Sequence, residues 1–153
     1  MEISSGTKLY RVETDTILPR TAWFFPDKDL ADEYLLIYKH RYLNIPLSEL
    51  KISEYIIQNK LFLPILDSNF TAQDLDNCIQ KIDPEYRSEI NFGIINNYLT
   101  AEWFLKHNLP GWVAFRGSDI NFGSWTQIPD YFEIMLTNPE NKIKFIKTVE
   151  PFS

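Results

Sequence analysis

Residues 131–147 read Tyr131-Phe132-Glu133-Ile134-Met135-Leu136-Thr137-Asn138-Pro139-Glu140-Asn141-Lys142-Ile143-Lys144-Phe145-Ile146-Lys147, and the fold turns on how this stretch is parsed. In an extended chain successive side chains face opposite ways. Phe132, Ile134 and Leu136 therefore share one face, and Tyr131, Glu133, Met135 and Thr137 share the other. Both faces are largely apolar, the pattern of a central strand covered on both sides. Asn138-Pro139-Glu140-Asn141 carries turn chemistry, and Lys142–Lys147 reads as a further strand, so the pair predicts a C-terminal β-hairpin. An ionised carboxylate within such a strand costs several kcal/mol unless it is paired or lines a cleft. Glu133 is thus a candidate functional group. The plainer reading sets it near the strand's start, facing solvent or paired with Arg11 or Arg116.

Working outward, Gly111-Trp112-Val113-Ala114-Phe115-Arg116-Gly117 is a second late strand, preceded by the stop chemistry of Asn108-Leu109-Pro110-Gly111. At the other end, Lys8-Leu9-Tyr10-Arg11-Val12-Glu13 alternates polar and apolar, as a half-buried strand does. Ala22-Trp23-Phe24-Phe25 is a short aromatic strand ended by Pro26. Asp27 is an N-cap for a helix running to about His40 or Tyr42, with Leu30, Tyr34, Leu35 and Tyr38 at helical spacing. Residues 46–108 read as mostly helical. Ser48–Asn59 carries Leu50, Tyr55 and Ile56 at mixed spacing. Thr71-Ala72-Gln73-Asp74 starts a capped helix whose inner stripe is Leu75, Cys78, Ile79 and Ile82. Pro84 opens a longer helical region holding Phe92, Ile95, Leu99 and Trp103. Strands, then helices, then strands make an α+β class, with residues 1–153 as one domain.

Composition narrows the function classes. Hydrophobic residues make up 44% and charged residues 24%, the balance of a chain that buries a core. The formal charge of −6 lacks the footprint of a nucleic-acid binder. Lys142, Lys144 and Lys147 read as the solvated face of a strand. The single cysteine, Cys78, rules out an intramolecular disulfide and any multi-cysteine metal site. It reads as a buried structural thiol. No apolar run is long enough to span a bilayer, and Met1–Gly6 has neither a basic nor an apolar signal region, so a cytoplasmic location is expected. There is no Gly-rich phosphate loop, no His-Glu-x-x-His and no Gly-x-Ser-x-Gly.

Two further features bear on function. Trp23-Phe24 ends a strand eleven residues before Tyr34 on the following helix, and two such rings can sandwich a planar ring such as a nicotinamide. The alternative is that Tyr34 belongs to the helix's buried stripe. Ser4-Ser5-Gly6-Thr7 precedes the first strand, where a glycine lets a ligand approach the backbone, although it is also an ordinary turn.

Taken in this order, these features resemble the ADP-ribosyltransferase fold in its poly-ADP-ribose-polymerase and diphtheria-toxin-like branch. Ser5-Gly6-Thr7 falls where that branch has a His-Gly-Thr-type motif. Trp23-Phe24 and Tyr34 match its Tyr-Phe strand and the second tyrosine eleven residues later. Glu133 followed by a turn and a last strand matches its late glutamate. The matched pieces cover about a third of the chain, and Ser5 stands where the family has histidine. The resemblance implies a split β-sheet with a helical middle segment. It also implies transfer of ADP-ribose from NAD, as substrate, to a protein or nucleic-acid acceptor. Glu133 would be catalytic, gripping the nicotinamide-ribose hydroxyls and stabilising oxocarbenium-like charge. Ser5, Gly6, Thr7, Trp23 and Tyr34 would hold NAD, with Gly6 on the carboxamide and Tyr34 on the ring, and Arg11 or Arg20 would meet the pyrophosphate. A related transferase that removes a tRNA 2′-phosphate is disfavoured by the acidic charge. Two other readings stand beside the enzyme. One is a catalytically degenerate member of the fold acting as a binding module. The other is an acidic interaction protein presenting Trp103, Trp112 and Trp125.

Overall fold

The structure, a computed structural model, describes residues 1–15, 17–41, 47–66, 71–88, 97–116 and 131–152. Its strands are β1 (Glu2–Ile3), β2 (Lys8–Glu13), β3 (Thr21–Phe24), β4 (Lys51–Ile57), β5 (Leu61–Phe62), β6 (Gly111–Arg116), β7 (Tyr131–Thr137) and β8 (Ile143–Val149). Its helices are α1 (Lys28–Arg41), α2 (Ala72–Ile82) and α3 (Asn97–Lys106). Helices and antiparallel sheets together make a mixed α+β protein.

The strands form two three-stranded antiparallel sheets, ordered β2-β4-β8 and β3-β7-β6, and a small β1-β5 pair. A single bridge links the larger sheets: Tyr10 N–H donates to Phe25 C=O at 2.8 Å, and Phe25 N–H returns the bond at 2.7 Å. Side chains from both sheets meet in one buried cluster. Leu9, Tyr55 and Ile57 come from the first sheet, and Phe24, Ile134 and Leu136 from the second. On the far side of the second sheet, Leu75 and Ile79 of α2 and Phe104 of α3 pack with Trp112 and Met135. Leu30, Ala31 and Leu35 of α1 pack with Val12 and Ile52 of the first. β7 is thus a central strand buried on both faces, as its apolar run required.

Local chemistry explains the helix starts. Asp27 accepts the Asp29 N–H at 2.8 Å, the N-cap bond expected at the head of α1. Thr71 and Asp74 form a reciprocal capping box at the head of α2. Leu75 and Ile79 face the core as expected, whereas Ile82 is exposed and Cys78 half-buried.

Three expectations are corrected. Ser48–Asn59 is not helical: a short 3₁₀ turn, Leu47–Glu49, leads into β4. Ile52, Tyr55, Ile56 and Ile57 suit a pleated surface, and because β4 is central, Ser53 and Glu54 are buried with them and break the alternation. The C-terminal hairpin is absent as well. β7 pairs with β3 and β6 while β8 pairs with β4, so the Pro139–Asn141 turn carries the chain from one sheet to the other. Pro84 begins a turn rather than a helix, after Asp83 has capped α2 through its N–H on Ile79 C=O. Phe92, Ile95 and Trp125 lie outside the described residues.

Candidate functional site

Glu133 is half-buried on β7 and lies opposite Ala114 of β6. The β3–β7 ladder ends at Phe24↔Ile134, one residue short of Glu133, and the next residue, Phe25, bonds Tyr10 of β2 instead. Glu133 therefore stands where β3 leaves one sheet for the other. Trp23 pairs with Met135. Trp23 and Glu133 thus share a face as diagonal neighbours, with Cα atoms about 7–8 Å apart. The Trp23 ring packs edge-on against Trp112, centroids 5.4 Å apart, and Trp112 in turn against Phe104 at 4.9 Å.

Tyr34 packs against Phe25 in the cluster under α1, whereas Trp23 packs in the cluster under α2 and α3. The Tyr34 and Phe25 rings lie 5.2 Å apart at 52°. Tyr34 is half-buried and packs with the stripe of α1.

Arg11 faces the other way. Its Nη1 donates to Trp23 C=O at 3.0 Å, its guanidinium lies 5.8 Å from the Phe24 ring, and its Nε is 3.5 Å from Glu13 Oε2. Glu13 is buried and also accepts the Tyr55 hydroxyl. Burial first, then the hydrogen bond and charge of Glu13, push the Tyr55 hydroxyl well above its ordinary pKa, so it stays a donor. Arg11 Nε and Ser53 Oγ are buried without a hydrogen-bond partner. This inter-sheet network ties up the Arg11 charge. Arg20 is exposed, and its C=O accepts Asn138 N–H at 2.7 Å at the opposite end of β3.

Ser5, Gly6 and Thr7 lie in a turn stitched to the end of β4. Gly6, at φ +87°, donates its N–H to Ile57 C=O at 2.8 Å, and Thr7 C=O accepts Ile57 N–H at 2.9 Å. Ser5 Oγ donates to Gln58 C=O at 2.8 Å. Gly6 is four residues from Tyr10 along the chain, about 13 Å if fully extended. The structure thus sets Trp23 and Glu133 as diagonal neighbours on one face, while Tyr34 packs with Phe25 in the cluster under α1. It sets Arg11 on the opposite face, and it occupies the Gly6 N–H expected to hold a carboxamide.

Sequence reasoning missed the Arg11–Glu13–Tyr55 network, because Tyr55 reaches Glu13 of β2 from β4, far along the chain. It also missed Asp76, buried in α2, which accepts Tyr86 Oη at 2.9 Å and Ser88 Oγ at 2.6 Å. An aspartate beside Leu75 in an apolar stripe was the available signal. Among the described residues no group of three His, Cys, Asp or Glu side chains can hold a metal, and no helix is long and apolar enough to cross a membrane. Trp112 is buried and Trp103 half-buried, which counts against a tryptophan-lined partner surface.

No protein-family model matches this chain, and no curated protein or solved structure matches it.

Proposed function

We propose that this chain is a cytoplasmic ADP-ribosyltransferase-type domain that takes NAD as substrate, with Glu133 as its catalytic carboxylate. The observation that carries the reading is the position of Glu133 beside Trp23, at the point where β3 crosses between the two sheets. The split into β3-β7-β6 and β2-β4-β8 supports the fold that the sequence resemblance implies. In this reading the nicotinamide ring lies between the Trp23 side and the Tyr34 ring. Glu133 accepts hydrogen bonds from the nicotinamide-ribose hydroxyls. As the C–N glycosidic bond breaks, its negative charge stabilises the oxocarbenium-like centre, nicotinamide leaves, and an acceptor nucleophile takes the ADP-ribose. Arg11 is held by Glu13 and Trp23, and Arg20 is exposed but lies at the other end of β3, so the pyrophosphate is left without an assigned arginine.

A second reading, a degenerate member of the fold that binds without turnover, is favoured by one observation. The Gly6 N–H and Ser5 hydroxyl are already committed to Ile57 and Gln58.

The test is NAD titration by calorimetry together with chromatographic detection of released nicotinamide, in wild type, Glu133→Gln and Tyr34→Ala, with melting curves as controls. The enzyme reading expects saturable binding that Tyr34→Ala weakens, and turnover that falls about 10²–10³-fold in Glu133→Gln. Binding without turnover in wild type selects the degenerate reading. No binding at millimolar NAD overturns the enzyme reading and leaves a degenerate fold member acting as an interaction module.

A further inference from the structure

A pocket elsewhere in the molecule has none of Glu133, Trp23 and Tyr34 in its lining. It lies between β5 and the last turn of α2, has a volume of about 310 Å³ and is lined by Phe62, Leu63, Pro64, Ile65, Cys78, Lys81 and Ile82. That volume is at the lower end of small-molecule sites. Phe62, Ile65 and Ile82 are 64%, 50% and 55% exposed, so three large apolar side chains surround one opening rather than lying scattered. The cations here run against the acidic balance of the chain. Among the described residues Lys81 is the one charged residue lining the pocket, and Lys60 Nζ sits 5.3 Å from the centre of the Phe62 ring while pairing with Glu2 at 3.6 Å.

We propose that this pocket binds a small amphipathic carboxylate, its hydrocarbon part against Phe62, Ile65 and Ile82 and its carboxylate at Lys81. Apolar walls with one convergent charged group are the usual make-up of such sites. The charge selects an anion over a neutral hydrocarbon. Burial raises the pKa of the Cys78 thiol; the Lys81 charge opposes that rise and the Asp74 carboxylate adds to it.

Cys78 is the only cysteine in the chain and reports on the pocket directly. The experiment measures the rate of its alkylation by iodoacetamide at about pH 8.5, near the ordinary thiol pKa, against added octanoate or octanol. Octanoate at ten times its Kd is expected to slow alkylation roughly tenfold by mass action, with octanol protecting far less. Lys81→Gln is expected to abolish the preference for octanoate over octanol. Ile82→Gln, an exposed substitution whose folding a melting curve checks, is expected to weaken protection by both. An alkylation rate unchanged by millimolar octanoate, or equal protection by octanol, overturns the proposal.

Discussion

Gly111 and Gly6 both have positive φ, +144° and +87°, yet replacing each with alanine should have very different consequences. A Cβ on Gly6 meets nothing within 4 Å, so Gly6→Ala carries only the conformational cost of a left-handed alanine, about 1–2 kcal/mol. A Cβ on Gly111 would lie 1.9 Å from the backbone oxygen of Met135 and 2.9 Å from its carbonyl carbon. Ordinary contact begins near 3.4 Å, so β6 and β7 would have to separate locally by about 1.5 Å. That is roughly a third of the usual spacing of about 4.8 Å between paired strands, enough to break the hydrogen bonds on either side of the Gly111↔Leu136 rung. Overpacking of about 1–3 kcal/mol adds to backbone strain of similar size, giving a loss of about 2–6 kcal/mol for Gly111→Ala. At roughly 2–4 °C per kcal/mol for a chain of this length, the melting temperature should fall by about 4–24 °C. Calorimetric melting of both variants beside wild type measures it. If Gly111→Ala costs no more than Gly6→Ala, the close approach of the two strands is refuted.

Thr71→Ala removes one half of the α2 capping box and should cost about 1 kcal/mol, read from the urea midpoint. Asp76→Asn sets an amide nitrogen against a Tyr86 or Ser88 hydroxyl that donates to Asp76 now; a loss of about 1–3 kcal/mol is expected, and a neutral result would remove the buried pair from the account. Because the pKa of Tyr55 is raised on folding, its contribution is fully present below the unfolded value of 10.0 and is lost as pH climbs above it. Wild-type urea midpoints should therefore fall above about pH 10 more steeply than those of Tyr55→Phe, although that variant starts lower at neutral pH through the lost bond to Glu13.

What was legible in the sequence was what a segment carries within itself. β7 announced a two-sided strand because apolar residues fill both parities, and Thr71-Ala72-Gln73-Asp74 announced a helix start because the capping bonds close within three residues. β4 was hidden because Ser53 and Glu54 sit inside it, one of them on each face. Asn138–Asn141 showed a reversal of direction but not the sheet to which the chain would go, since that depends on β4 far upstream. The site divides the same way. Glu133 was visible as a charge among apolar neighbours, whereas the use of the Gly6 N–H was invisible because its acceptor, Ile57, lies on another strand. The pairing of Arg11 with Glu13 was hidden by alternation, which marks the two as sharing a face but not as touching.

The crossing at Pro139–Asn141 has a consequence for how the chain acquires its shape during synthesis. β7 is the middle strand of one sheet, and β8 completes the other beside β4. Neither sheet can assemble fully until residues 131–149 have left the ribosome: β2 and β4 can pair early, but β3, β6 and the other edge of β4 wait for partners made late. Such sequence-distant pairing slows folding and leaves apolar strands open to association meanwhile. Nascent chains halted before residue 131 should accordingly be protease-sensitive throughout, with resistance appearing in a single step once β8 has emerged.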